Sequence, residues 1–377
     1  MIRVLHAVSI MNRAGQETFL MNVYRNIDRN KIQFDFQCSV EGKGDFDDEI
    51  HSLGGNLLFL GEVKRRGKFM KYIEELRVHA DFFKRHSEYD VYHIHTYHAF
   101  NAWINIVGAK FGGMKKIVLH SHNTSGMHPT LHKVFRFFLK FMKIERCACS
   151  ALAAQWMYGK QEKRVSVIQN GIWPEKFLYD RCKSQEMKEV LGLKEKLVFG
   201  HVGRFMTQKN HKFLIEIFAK IKQKQENAVL LLVGAGGLEG EIKEQIKLLG
   251  LEEDVLFLGI RKDVDKLLQA MDIFLLPSLF EGLPVVAVEA QAAGTYLFLS
   301  DTITPETKIT SRVRFLPLKE SAKFWSEEIL KEANTQKANI DPVNILEAFT
   351  QKRFTIEATT EDLTTLYNRL KRGLLHE

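Results

Sequence analysis

Residues 279–290 read LFEGLPVVAVEA and carry Glu281 and Glu289 around a Gly, a Pro and an apolar run. Acids are rarely fully buried without partners. Two carboxylates flanking a Gly-Leu-Pro turn therefore point to a polar ligand held there. A carboxylate can accept two hydrogen bonds and so grip vicinal hydroxyls, as the acid on a dinucleotide ribose does. Gly282 and Leu283 form the turn between the acids, and a helix opening near Pro284 uses a favoured first residue. The amides at such an end can bind a phosphate. The chemistry implied is one acid on sugar hydroxyls, Glu289 on a ribose, and phosphate between.

A second constellation is GRFMTQKNH at 203–211. Arg204 and Lys209 at a strand-to-helix junction suit a diphosphate and offset its charge without a metal. Taken singly, each is more simply a solvated basic loop residue. In MNRAGQE, Ala14 and Gly15 sit just before a helix, where a small-residue turn lets amides face an anion. His93 and His95, then His120 and His122, alternate at two strand ends, so each pair shares a strand face. A lone histidine there is more often a packed, hydrogen-bonded residue; two pairs suggest a site. No DxD or His/Asp cluster suited to a divalent ion is evident.

These residues need elements to position them. The first half alternates strands (Arg3–Val8, Phe34–Ser39, Val91–His95, Lys116–His120) with helices (Glu17–Asn26, Lys68–His86). The second half repeats the style, with strands at Leu197–Val202, Val229–Val233, Val255–Leu258, Ile273–Leu276 and Leu297–Ser300. Helices fall at His211–Gln223, Leu238–Leu249, Val264–Met271 and Pro284–Ala293. Such alternation implies parallel sheets covered on both faces. The expectation is two doubly wound α/β domains, at 1–175 and 190–350, facing across a cleft. The last helix, at about 356–372, would pack back onto the first domain. Ligands bind at the carboxyl ends of strands in such sheets, where all the polar constellations lie.

The 377 residues exceed one ordinary core and fit two domains. A net charge of +8 favours anionic partners without choosing among them. The aromatics follow core periods and form no stacking platform, so nucleic acid is not an expected partner. Cys38, Cys147, Cys149 and Cys182 form no CxxC pair and read as reduced thiols. MIRVLHAVSI reads as a buried strand rather than a secretory signal. No apolar window is long enough to span a membrane. GAGG at 234–237 lacks the P-loop Lys-Ser/Thr, and no GxGxxG follows the first strand. A P-loop nucleotidase and a simple dinucleotide dehydrogenase are thereby disfavoured.

Together, GRFMTQKNH and EGLPVVAVEA resemble the donor-binding half of the retaining glycosyltransferases of family 4, which have the GT-B fold. The E-x7-E pattern matches as Glu281 and Glu289, and Arg204 and Lys209 match the family's diphosphate-binding cations. RAGQE resembles the N-terminal GG-x-E turn, with Ala14 for the first Gly. VYHIHTYH and VLHSHNTS resemble the acceptor-domain strand ends, and His122 matches the active-site His by position. VIQNGIWPEKF resembles the interdomain segment. Bacterial capsule and exopolysaccharide members look closest, partly through SDTITPET at 300–307. Trp173 stands where an Asp is usual, and Thr295 where a Pro is usual.

The resemblance implies a retaining hexosyltransferase using a nucleotide-diphospho-sugar, most often a UDP-sugar, as substrate, with no cofactor and no metal. It implies His122, Lys209 and Glu281 as catalytic residues. Gly15, Arg204, Lys209, Glu281, Gly282, Leu283 and Glu289 fall on the donor side. His95, His122 and Asn123 fall on the acceptor side. The acceptor would be a saccharide, a lipid-linked one in the membrane-contacting case. The protein would be cytoplasmic, with peripheral contact at the inner membrane face. Competing readings are a non-catalytic sugar-nucleotide-binding protein of the same fold and a nucleotide-sugar epimerase. LHKVFRFFLKFMKIER, 131–146, reads as one helix spacing Lys133, Arg136, Lys140 and Lys143 along a stripe. It is either packed into its domain, the preferred reading, or a membrane-surface contact.

Overall fold

A computed structural model describes residues 1–61, 68–126, 128–333 and 341–374. The chain divides into two compact units, Met1–Gly171 with Ile356–Glu377, and Ile172–Thr355.

Unit 1 runs β1 (Ile2–Val8), α1 (Gly15–Asn26), β2 (Ile32–Cys38), α2 (Asp47–Ser52), β3 (Leu57–Phe59) and α3 (Lys68–Arg85). It continues β4 (Val91–His95), α4 (Ala99–Phe111), β5 (Ile117–Ser121), α5 (Pro129–Leu139), β6 (Glu145–Ala148), α6 (Ala151–Tyr158) and β7 (Ser166–Val167). Unit 2 runs α7 (Arg181–Val190), β8 (Leu197–Val202), α8 (His211–Lys222), β9 (Ala228–Val233), α9 (Glu239–Leu248), β10 (Val255–Gly259) and α10 (Val264–Ala270). Then come β11 (Ile273–Leu276), α11 (Val285–Ala292), β12 (Tyr296–Ser300), β13 (Val313–Leu316), α12 (Ala322–Lys331) and α13 (Pro342–Gln351). The final helix, α14 (Ile356–Lys371), belongs to unit 1.

The sheet orders are β3-β2-β1-β4-β5-β6-β7 and β10-β9-β8-β11-β12-β13. Every neighbouring pair is parallel. The expected α/β, Rossmann-like class therefore holds in both halves. The physical cause is visible in unit 2. Alternate residues of each strand feed opposite cores, as period two requires. Phe199, Leu230, Leu232, Ile273 and Leu275 pack one face beneath α8, α9 and α12. Val198, Val229, Leu231, Phe274 and Leu276 pack the other beneath α7, α10 and α11. In each sheet the strand order reverses beside the first strand, between β1 and β4 and between β8 and β11. Such a switch point opens a crevice at the carboxyl ends.

α14 completes unit 1. It buries Ile356, Leu363, Leu366, Tyr367 and Leu370. Arg369 bonds the fully buried Glu145 of β6 at 2.5 Å. That pair corrects the reading of 131–146 as one helix. α5 stops at Leu139, and residues 145–148 enter the sheet as β6. Arg146, at the end of that segment, is buried and donates to the carbonyls of Leu139, Lys140, Met142 and Ile144.

α5 does pack on its domain, with Leu139 in the core and Phe135 against Phe100 and Trp103, while its other edge stays open. Only His132 and Leu139 of α5 are buried. Phe137 and Phe138 are 55% and 47% exposed, and Phe141 just beyond is 74% exposed. Lys133 and Lys140 are exposed beside them. Residues 181–190 form α7, capped by Asp180 accepting from the amides of Cys182 and Lys183. All four cysteines are free, and only Cys182 is exposed.

Candidate functional site

In unit 2, three loops meet at the carboxyl ends of β8, β9 and β11. The loop after β8 holds Arg204 and Lys209, the latter ending a short 3-10 turn at Thr207–Lys209. Asn210 follows in the left-handed region at φ 56°, where Asn is tolerated because its short polar side chain bonds locally. Its amide donates to the Pro277 carbonyl at 3.1 Å. The Leu279 amide donates to the Gln208 carbonyl at 2.8 Å, tying the β8 and β11 loops together.

The glycines of GAGG act by absence. A Cβ on Gly234, at φ +132°, would stand 2.2 Å from the Gly203 carbonyl oxygen. One on Gly236 would stand 2.5 Å from the Phe205 carbonyl oxygen. The Phe205 amide donates to the Ala235 carbonyl at 3.1 Å. Bare backbone thus lets the β9 loop seat directly on the β8 loop.

Glu281 is 7% exposed and is held from several directions. Its Oε1 accepts from Lys209 Nζ at 2.7 Å and Ser278 Oγ at 2.9 Å, and Oε2 accepts from Gln208 Nε2 at 3.1 Å. The Lys209–Glu281 pair is mostly buried, at 14% and 9% side-chain exposure. An ammonium has three donors, so Lys209 can serve Glu281 and an anion at once. Gly282 and Leu283 are buried beside Glu281 in the turn leading to α11. Arg204 is exposed and has no ion pair among the described residues. Glu289 lies within α11 and is partly buried. Desolvation, reinforced by Asp265, pushes its carboxyl up to about 7. Uncompensated burial of this kind marks candidate functional groups. Sequence reading brought these residues to one end of the sheet but missed Ser278 and Gln208, which anchor Glu281.

In unit 1, Ala14 caps α1 at φ −136° without a side-chain bond. A Cβ on Gly15 would meet nothing within 4 Å, so the α1 end has open space in front of it. His95, His120 and His122 come together as expected, and His6 and His93 join them. His6 Nδ1 lies 2.9 Å from His95 Nε2, and His95 Nδ1 lies 2.8 Å from His122 Nε2. His93 Nδ1 meets the Tyr367 hydroxyl of α14 at 2.7 Å. His120 stacks on His122 with ring centroids 4.1 Å apart, and Phe19 covers both. Burial pushes His6 and His122 down to about 3 and holds His93, His95 and His120 well below the usual range. The cluster is neutral at ordinary pH. Asn123 is partly buried, and its side-chain carbonyl accepts the Thr124 amide at 3.1 Å. No local signal marks His6 for the cluster: it sits in an apolar strand, and only the β1–β4 register places it opposite His93. Among the described residues, His6, His93 and His95, and likewise His95, His120 and His122, place three ring nitrogens within 4.8 Å of one another.

Two doubly wound halves covering the whole chain are the GT-B architecture. HepE of Anabaena, solved with UDP and glucose, superposes at a TM-score of 0.79 and 18% identity, covering 98% of this chain and 100% of that one. The profile described as "Glycosyl transferases group 1" matches residues 183–332. EpsF of Bacillus subtilis (strain 168), whose name carries a provisional glycosyltransferase assignment, is 36% identical over 342 residues, 88% of each chain. A UDP-Gal:α-D-GlcNAc-diphosphoundecaprenol α-1,3-galactosyltransferase of Escherichia coli is 29% identical over 57% of this chain and 58% of its own. The capsular polysaccharide biosynthesis glycosyltransferase CapH of Staphylococcus aureus is 23% identical over 97% of this chain and 99% of its own. The chain belongs to the group 1 glycosyltransferases.

Proposed function

We propose that this glycosyltransferase moves a hexosyl group from a UDP-sugar to a hydroxyl of a lipid-linked saccharide, with retained anomeric configuration and no metal in the reaction. The observation that carries the reading is the buried Lys209–Glu281 pair, locked by Ser278 and Gln208 at the unit 2 switch point. It presents a fixed ammonium where a departing diphosphate needs charge stabilisation. Exposed Arg204 supplies the second cation. Glu289 takes the ribose hydroxyls. Glu281 orients Lys209 and reaches a sugar hydroxyl by exchange with Gln208. Gly282 and Leu283, with the α11 end, lie against the phosphates. Gly15 leaves the α1 end of unit 1 open for an anionic donor group.

In the transfer, the sugar C1–O bond to the diphosphate breaks and the acceptor oxygen bonds C1 on the same face. The acceptor proton leaves on the departing phosphate oxygen. His122, with His95 and Asn123 on the acceptor side, contacts the transferred sugar or acceptor. An imidazole pushed down to about 3 by burial is too weak a base to take that proton. A galactosyltransferase acting on a diphosphoundecaprenol saccharide among the relatives supports the lipid-linked acceptor, and CapH supports a role in capsule or exopolysaccharide synthesis. The exposed Phe137, Phe138 and Phe141 beside Lys133 and Lys140 support peripheral contact with an anionic membrane. No described helix is long and apolar enough to cross one.

The test is transfer of radiolabelled hexose from UDP-sugars to lipid-linked saccharides in EDTA, with the new anomeric coupling read by NMR. Label in the lipid fraction with an α-linkage from an α-donor supports the proposal. Release of free sugar nucleotide isomers would favour an epimerase instead, and donor binding without any turnover would favour a non-catalytic protein.

A further inference from the structure

His95 and His120 are register partners on β4 and β5, and His122 follows two residues on, on the same strand face. We propose that His95, His120 and His122 form a binding site for a transition-metal ion of the Zn(II) class. Each offers one ring nitrogen, and the three lie within 4.8 Å of one another. Three imidazoles without a carboxylate suit Zn(II), Cu(II) or Ni(II) and not Mg(II) or Ca(II). Three histidines plus an open fourth position is an established zinc arrangement, as in carbonic anhydrase.

Two further observations point to an ion. First, both ring nitrogens of His120 are buried with no hydrogen-bond partner among the described residues. A neutral imidazole there has an unmet N–H and an unmet lone pair, each costly; a bound ion takes up the lone pair. Second, the hydrogen-bond chain has a tautomer that suits ligation. An ion between His95 Nδ1 and His122 Nε2, now 2.8 Å apart, replaces one shared proton. Tetrahedral zinc–nitrogen bonds of about 2.0–2.1 Å require the pair to open by about half an ångström. With Nδ1 on the ion, His95 carries its proton on Nε2 and donates to His6 Nδ1 at 2.9 Å. Ligating histidines are typically oriented by such an outer bond.

The alternative triad, His6–His93–His95, is fully buried, and its His93 Nδ1 is engaged by Tyr367. His122 is only partly buried, which gives an ion an approach. An ion held there takes His122 out of substrate contact and so inhibits. That consequence rests on the role proposed for His122; the binding does not.

The experiment is Zn(II) titration of the untagged chain against a chromophoric chelator, with X-ray absorption of the loaded protein. The expected result is one ion per chain with a shell of three imidazole nitrogens. His120→Phe, which keeps a ring and deletes both nitrogens, should weaken binding by more than the about 10–100-fold lost with an outer-shell partner. His93→Phe and the exposed His128→Gln should leave binding within about threefold. Absence of uptake, a shell containing carboxylate or thiolate, or greater loss with His93→Phe than with His120→Phe would overturn the proposal. If His120→Phe fails to fold, the wild-type shell and the His93→Phe titration decide.

Discussion

Glu289 carries the most informative single charge. Its carboxyl titrates near 7 in the free protein because burial disfavours the anion. Ribose hydroxyls donate to the anion and would lower that value on binding. Donor binding below pH 7 should therefore release up to one proton, and affinity should rise with pH and level off above about 7. Calorimetry in buffers of different ionisation enthalpy reads this directly; pH-independent affinity with no proton release would contradict the assignment. Stability runs the other way. A carboxyl raised in the folded state contributes stability that is full below about 4.5 and lost as pH rises through 7. Glu289→Gln should thus stabilise the free protein at pH 8, by about 1–3 kcal/mol, and do nothing at pH 4.5. The same variant should weaken UDP-sugar binding.

Lys209→Ala should lower kcat more than donor affinity, because leaving-group charge grows in the transition state. About 10²–10³-fold in kcat is the scale for one such donor; equal losses in kcat and affinity would count against the role. Both charged pairs at this end, Glu281 with Glu289 and Arg204 with Lys209, were legible from residue type and spacing. Their mutual pairing was not. A Lys–Glu contact between loops 72 residues apart is set by the β8–β11 neighbour relation, which local pattern does not contain.

At the scale of elements, loop contact explains why GAGG is not a P-loop. Its glycines make room for backbone rather than for phosphate. Gly234→Ala would place a methyl into the Gly203 carbonyl in a conformation L-residues rarely adopt. We expect a loss of about 2–4 kcal/mol in unfolding free energy together with loss of donor binding. Chemical denaturation and calorimetry on one preparation check both. A variant as stable as wild type would show that the loops need not be seated this closely.

Long elements with clear period, such as β8 and α14, were legible to within a residue or two. Short ones were not. α2, β3 and β7 are too brief to show a period. The 131–146 segment failed for a different reason. Glu145 and Arg146 look like a helix tail, but each is paired inside the fold, Glu145 with Arg369 and Arg146 with Glu162 and a ring of carbonyls. Long-range partners overrode local pattern.

Across the whole molecule, buried neutral histidines recur. His6, His93, His95, His120 and His122 in unit 1, and His201 and His211 in unit 2, are all lowered chiefly by desolvation. Groups depressed in the folded state contribute stability that is full above about 6.5 and lost as pH falls. Each removes roughly 1.4 kcal/mol of stability per pH unit below that point. The chain should therefore unfold steeply between pH 6 and pH 4.5 with uptake of several protons. Urea midpoints measured across this range would test it, and a flat profile would contradict the burial. The histidine spacing was legible; their joining into one array was not, because it depends on strand order.

Sugar-nucleotide binding in unit 2 without a metal is the central expectation. The most direct measurement is calorimetric titration of UDP-hexoses in EDTA at pH 7.5, against wild type and Glu289→Ala. Saturable 1:1 binding that persists in EDTA and is weakened at least about tenfold by Glu289→Ala, the loss of one charged hydrogen-bonding group, is the predicted result. Binding abolished by EDTA, unchanged by Glu289→Ala, or absent for every UDP-hexose would contradict it.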